Sequence, residues 1–149
     1  LGKSLASMGA YVLANNGSII DFLTNKAGEY IYSTFLSPSQ VGAALEAIKL
    51  IKNYGKQREN LQNLSKYFRK AINPSGKIFK SPIIPILVGD PEETINLQDV
   101  LLKKGILVGA VRPPTVPANT SRLRLSLNSG INKSIVDELL NILSEWKKI

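Results

Sequence analysis

Arg112-Pro-Pro-Thr-Val-Pro117, followed by Ala118-Asn-Thr and then Ser121-Arg-Leu-Arg-Leu-Ser-Leu127, joins a stiff loop to an alternating strand. Proline fixes φ and lacks a backbone N–H, so these prolines cannot lie inside a central strand. The loop is therefore rigid and ends where Arg122 begins. Residues two apart in a strand point the same way. Arg122, Arg124 and Ser126 thus share one face, and Leu123, Leu125 and Leu127 share the other. A guanidinium on a rigid scaffold can grip a carboxylate through two parallel hydrogen bonds, which a lysine cannot imitate. The spacing alone fits equally a half-exposed antiparallel strand whose arginines are solvated.

Working outward, Ile106–Val111 reads as the strand entering this loop. Ile83–Val88 reads as another, with Pro82 and Pro85 pushing it to a sheet edge. Between them Asp90-Pro91 opens a helix through Ile95, Leu97, Val100, Leu101 and Leu102, stopped at Lys103-Lys104-Gly105. A final amphipathic helix opens at Asn132 or Ser134 and carries Ile135, Leu139, Leu140, Ile142, Leu143 and Trp146. The order from about Lys77 is strand, helix, strand, loop, strand, helix. That predicts an α+β unit in which helices cover one face of a small, mostly antiparallel sheet.

Toward the other end, Ser37-Pro38 has the chemistry of a helix start. Val41, Ala44, Leu45, Ile48 and Ile51 follow at helical spacing, and a second helix covers roughly Tyr54–Ile72. Asn15-Asn16-Gly17 is a turn, after which Ser18 is expected to cap a short helix. Gly9–Leu13 reads as a short strand.

Composition narrows the function. Absence of cysteine excludes disulfides, thiolate zinc sites and a thiol nucleophile. No acidic cluster suggests a metal. A net charge of +8 raises the question of nucleic acid, but the cations are scattered: Lys66, Arg69 and Lys70, then Lys103 and Lys104, then Lys147 and Lys148. No aromatic-and-basic RNA motif is present, so no nucleic-acid partner is expected. No signal peptide or membrane-length apolar run occurs, and no membrane partner is expected; the lack of cysteine is compatible with the cytoplasmic location expected.

The chain opens Leu1-Gly-Lys-Ser-Leu-Ala-Ser-Met-Gly-Ala-Tyr-Val-Leu13, with a lysine among small residues just before an apolar run. Together with the Arg-Pro-Pro-Thr-Val-Pro loop, the Arg-Leu-Arg-Leu strand, Ile31-Tyr-Ser-Thr34 and Ile84-Pro-Ile-Leu-Val-Gly-Asp90, it resembles the α-oxoamine synthases. These are fold-type I pyridoxal-phosphate enzymes of α/β architecture. The resemblance implies the C-terminal part of a longer enzyme, cut at Leu1. Residues 1–35 would be a remnant of the large cofactor domain, 36–75 bridging helices, and 76–149 the small α+β domain.

The same resemblance assigns roles. Lys3 falls on the Schiff-base lysine of the Gly-Lys-Ser-Leu motif and is the expected catalytic and cofactor-binding residue. Ser33 and Thr34 are expected to reach the phosphate of pyridoxal 5'-phosphate in a neighbouring subunit, which implies a homodimer with shared active sites. Arg124 is expected to grip the carboxylate of the amino-acid substrate, and Arg122 to have a structural or surface role. Arg112 is expected at the acyl substrate or the mouth of the site. Thr115 either lines the pocket or only shapes the loop.

The implied reaction joins an amino acid to an acyl thioester with loss of CO2. The Pro-Pro-Thr-Val-Pro loop points to the branch using L-alanine and a pimeloyl thioester, on CoA or a carrier protein. Sister branches use glycine with acetyl-CoA or succinyl-CoA. A different reading is a folded dimerisation module without catalysis, and the fragment alone is expected to be inactive. Two departures from the family stand out: Ala6 where glycine is usual, and Asn128-Ser-Gly-Ile131 in place of an Ala-Ala-His-like stretch.

Overall fold

The computed structural model describes residues 1–76 and 79–147, and of Lys147 only the backbone. Lys77, where the expected small-domain order begins, and Lys148 of the basic tail lie outside the described residues. The chain divides into two compact units, Leu1–Gly55 and Lys56–Ile149.

In the first unit α1 and α3 start where side chains can satisfy free backbone N–H groups. α1 (Gly17–Lys26) is capped by Asn16, whose Oδ1 accepts from the Ser18 N–H at 3.0 Å. The cap is thus two residues earlier than the Ser18 expected. An Asn side chain preceding a glycine does the same work and leaves Ser18 inside the first turn. α2 (Gly28–Ile31) is a single turn. α3 (Pro38–Ile51) begins as expected, with Ser37 Oγ accepting from the Gln40 N–H and Pro38 in its first turn.

Gly9–Leu13 is not a strand: none of these residues joins a ladder, and extended backbone without a partner forms no sheet. At Gly9 φ is +78°, and an added Cβ would sit 2.6 Å from Leu36 Cδ1, so only glycine fits. Of residues 1–55 only Ala44 is buried. Phe35, Tyr32 and Leu13 are each more than four-fifths exposed.

The second unit holds all of α4 (Gly55–Ile72) but its first residue, followed by β1 (Ile83–Gly89), α5 (Pro91–Lys103), β2 (Gly109–Val111), β3 (Ser121–Ser126) and α6 (Lys133–Lys147). The sheet order is β1-β3-β2, both pairings antiparallel, so the arginine strand is central and β1 is an edge, as Pro85 requires.

Alternation along β3 is clean. Ser121, Leu123 and Leu125 are buried, Arg122 is half-buried, and Arg124 and Ser126 are exposed. Ile84 of β1 and Val108 join the leucines, and Phe68, Leu97, Leu101, Val136, Leu139 and Leu143 cover them from α4, α5 and α6. Three helices thus pack one face of the sheet and leave the arginine face open. Fully burying each of these large apolar side chains contributes about 1.5–3 kcal/mol.

α5 sets the strand that carries the loop. Asp90 Oδ1 accepts from the Glu92 and Glu93 N–H groups, and Glu92 and Glu93 favour the positive end of the helix dipole. The helix stops at Gly105, φ +78°, with Ile106 N–H donating to Leu101 O and Gly105 N–H to Leu102 O. This is the Schellman arrangement. It explains why β2 is shorter than the Ile106–Val111 expected. The Ile106 N–H is spent on the helix end, and the Val108 carbonyl accepts from Gln98 Nε2 at 2.7 Å. Pairing with β3 begins only at Gly109.

Candidate functional site

Lys3 sits in a tight turn in which the Ala6 N–H donates to the Lys3 carbonyl at 3.0 Å. The turn is tied to the start of α3 through Ser7 Oγ, which donates to Gln40 O at 2.7 Å. Ala6 has φ +49°, in the left-handed region that favours glycine. The departure noted in the sequence therefore falls on a residue whose backbone suits the residue it replaces. Lys3 is exposed, and its ammonium has no hydrogen bond or ion pair among the described residues. Ser33 and Thr34 lie between α2 and α3, exposed, with both hydroxyls unbonded among the described residues. Lys3 thus offers a primary amine able to bind an aldehyde, and Ser33 and Thr34 offer hydroxyls able to donate to a phosphate.

The first unit also carries an apolar cleft of about 560 Å³, lined by Tyr11, Val12, Ile20, Leu23 and Tyr30 among others. It lies within the same 55 residues that bury only Ala44.

The other three expected residues belong to the second unit. Arg112 follows β2 directly, and its carbonyl accepts from the Thr115 N–H at 3.0 Å. That bond closes the turn containing the cis Pro113–Pro114 peptide. Thr120 closes the far end of the loop, donating from both its N–H and its Oγ1 to Pro117 O. The side chains of Arg112 and Thr115 are exposed and unbonded among the described residues.

The two arginines of β3 share a face but not a state. Arg122 Nε donates to Thr120 O at 2.9 Å, which pins it beside the loop. Val111 and Leu87 stand opposite it on the two neighbouring strands. Arg124 is exposed, with no hydrogen bond or ion pair among the described residues. Pro85 and Gly109 stand opposite it. An unpaired guanidinium on the centre strand of a packed sheet is ready for a planar anion.

One polar cluster escaped the sequence reading. Tyr67 of α4 donates its hydroxyl to Asp137 Oδ1 at 2.7 Å, and Lys133 Nζ donates to Tyr67 Oη at 3.1 Å and to Asp137 Oδ2 at 2.9 Å. The Lys133 ammonium also lies 4.2 Å from the centre of the Tyr67 ring. The Asp137 and Tyr67 hydrogen bonds raise Lys133 above the ordinary lysine value, and those from Tyr67 and then Lys133 hold Asp137 below the ordinary carboxylate value. The Lys133–Asp137 spacing of four was visible in the sequence. Tyr67, 66 residues away from Lys133, was not. The cluster borders a cleft of about 430 Å³ that also takes in Asn60, Asn63, Asn128 and Asn132. Asn128 Oδ1 accepts from the Gly130 N–H at 2.9 Å, so the unusual Asn-Ser-Gly-Ile stretch is an Asx turn leading into α6.

Among the described residues there is no group of three or more His, Cys, Asp or Glu that could hold a metal ion, and no helix long and apolar enough to cross a membrane.

Residues 1–143 match the family described as aminotransferase class I and II. The chain is 39% identical over 153 residues to 8-amino-7-oxononanoate synthase of Pseudomonas paraeruginosa, covering all of this chain and 38% of that protein. It is 38% identical to the enzyme of the same name from Hahella chejuensis, covering 99% of this chain and 38% of that protein. Among solved structures, 8-amino-7-oxononanoate synthase from Francisella tularensis superposes with a TM-score of 0.84 at 30% identity, over 99% of this chain and 44% of that one. Serine palmitoyltransferase of Sphingomonas wittichii superposes with a TM-score of 0.86 at 24% identity, over 99% of this chain and 38% of that one, and shares the fold. The chain thus spans about two-fifths of the length of the curated relatives it matches.

Proposed function

Because the chain belongs to the aminotransferase class I and II family, whose members depend on pyridoxal phosphate, we propose that it is the C-terminal part of an acyltransferase of that kind. The enzyme condenses L-alanine with a pimeloyl thioester and releases CO2, giving 8-amino-7-oxononanoate for biotin synthesis. Relatives of that name at 38–39% identity across the chain support the reading. The observation that carries it is the contrast within β3, where Arg122 is pinned by Thr120 O and Arg124, on the open face, has no partner among the described residues.

When bound, the cofactor withdraws electrons from the substrate's Cα. Everything else falls to side chains. Lys3 holds the cofactor through its amine, then accepts the Cα proton from alanine and later returns one to the same carbon after CO2 leaves. Arg124 holds the alanine carboxylate through paired hydrogen bonds. That grip fixes the rotation at Cα and so decides which of its bonds is aligned to break, an orientation effect worth several kcal/mol. Ser33 and Thr34 donate to the cofactor phosphate of the neighbouring subunit in a homodimer. Arg112 and Thr115 line the acyl side of the site.

Residues 1–35 then belong to the large domain, 36–75 to the bridge and 76–149 to the small domain. The 149-residue chain alone has no turnover. A first unit that buries only Ala44 supports this.

The test is thiol release by the full-length protein supplied with pyridoxal phosphate, comparing pimeloyl-CoA and L-alanine with acetyl-CoA and glycine. Alanine-dependent release from pimeloyl-CoA alone is expected, lost in Lys3→Ala. Release only with glycine and acetyl-CoA would move the protein to a sister synthase and overturn the reading of the proline loop.

A further inference from the structure

Gly109 has no internal reason to be glycine. It lies in β2, where a residue without a side chain weakens the strand. Its φ is outside the left-handed region, so no turn demands it. A Cβ built on it would meet only Arg124 Cβ and Arg124 O, both at 3.9 Å, which is ordinary contact. Any small or β-branched residue would therefore fit and would pack against the arginine stem.

What distinguishes the position is its partner. Gly109 stands directly opposite Arg124, and partners in an antiparallel pair point to the same face. Two residues along, Arg122 faces Val111 on β2 and Leu87 on β1, so side chains stand on both its flanks. Arg124 has the Pro85 ring on one flank and bare backbone on the other. The walled arginine is the one bonded to its own loop, and the arginine with an empty flank is the one unpaired among the described residues. A strand glycine unexplained by backbone angle or crowding marks a place where something outside the chain approaches closely.

We infer that Gly109 is the bare wall of the Arg124 seat, kept empty so that a carboxylate-bearing amino acid can lie over β2 with its carboxylate in the guanidinium fork. Gly109 is a specificity-determining residue: its missing side chain sets how large a group next to the carboxylate the seat admits. The inference rests on the reading of Arg124 given above.

The test compares Gly109→Ala, Gly109→Val and Arg124→Ala in the full-length enzyme, reading KM for L-alanine and for the acyl thioester, kcat, and the melting midpoint by circular dichroism. A side chain at position 109 is expected to raise the L-alanine KM stepwise, reaching roughly tenfold for Gly109→Val. The acyl thioester KM and kcat should change little, as a loss of uniform binding requires. Glycine as substrate should lose less than L-alanine. The melting midpoint should hold or rise, because valine suits a strand better than glycine. If Gly109→Val leaves the L-alanine KM unchanged while Arg124→Ala raises it, the inference about Gly109 is overturned and the role of Arg124 stands. If Arg124→Ala also leaves it unchanged, both fall. A lower melting midpoint in Gly109→Val with both KM values raised would make the glycine structural and overturn the inference.

Discussion

The two units of this chain are built on opposite terms. Among its described residues, Lys56–Ile149 gathers ten large apolar side chains into one core beneath a three-stranded sheet. Leu1–Gly55 has side-chain caps on two of its three helices but buries only Ala44, leaving Phe22, Tyr32 and Phe35 in the open. Local signals are therefore enough to start helices, whereas a stable unit needs an apolar face to close on. Exposed apolar surface on this scale fits the proposal that these residues belong to a larger domain of a longer enzyme.

The sharpest way to break this contrast is to cut each unit at an aromatic. Phe68 has no exposure, so Phe68→Ala should cost about 3–5 kcal/mol in urea unfolding followed by Trp146 fluorescence. Phe35→Ser in the same chain should stay within about 0.5 kcal/mol. Equal losses would mean that the first unit has a hidden partner for its apolar side chains within the chain.

A smaller effect probes a flaw in the better-packed unit. Ser121 Oγ is fully buried and has no hydrogen-bond partner among the described residues. Ser121→Ala removes that unmet hydroxyl and should raise stability by about 1 kcal/mol. A loss of the same size would show that the hydroxyl is satisfied after all.

In the first unit the matching flaw is Ala6 in the left-handed region. Ala6→Gly relieves the Cβ clash, though the unfolded chain gains freedom, so the net gain should be only about 0.5 kcal/mol. Amide hydrogen exchange at Ala6 and Ser7 would register it, because their N–H groups close the Lys3 turn.

The smallest effect is electrostatic and is confined to the second unit. Asp137 lies below its ordinary value of 3.8, first through Tyr67 and then Lys133, so its contribution is complete above that value and disappears as pH falls through the lowered one. Lys133 lies above 10.5, first through Asp137 and then Tyr67, so its contribution is complete below 10.5 and is lost as pH rises through the raised value. Tyr67→Phe should reduce both dependences in urea midpoints measured at acid, neutral and alkaline pH. The groups are exposed, so added salt should shrink the difference further.

What the sequence made visible follows the range of the forces. Ser37-Pro38 and Asp90-Pro91 announced their helices because a cap acts within three residues. The alternation of Arg122–Leu127 gave both faces of β3, and Pro85 placed β1 at an edge. The misreadings arose where an outside partner decides. Gly9–Leu13 has strand composition but no ladder, and Ile106 is taken by the end of α5 before it can enter β2. At the site, residue types and motifs singled out Lys3 and Arg124. That Arg122 is tied down by Thr120 O, that Arg124 faces Gly109, and that Tyr67 meets Lys133 are facts of register and packing.

Pro85 has one more consequence. β1 reads Ile-Ile-Pro-Ile-Leu-Val-Gly, an apolar run on a sheet edge, which is the pattern by which separate chains zip into aggregates. Without a backbone N–H at its third residue, the edge cannot offer an unbroken row of donors to an incoming strand. The proline opposite Arg124 thus also acts as a gatekeeper, keeping the outermost strand of a packed sheet from becoming a template for its own kind.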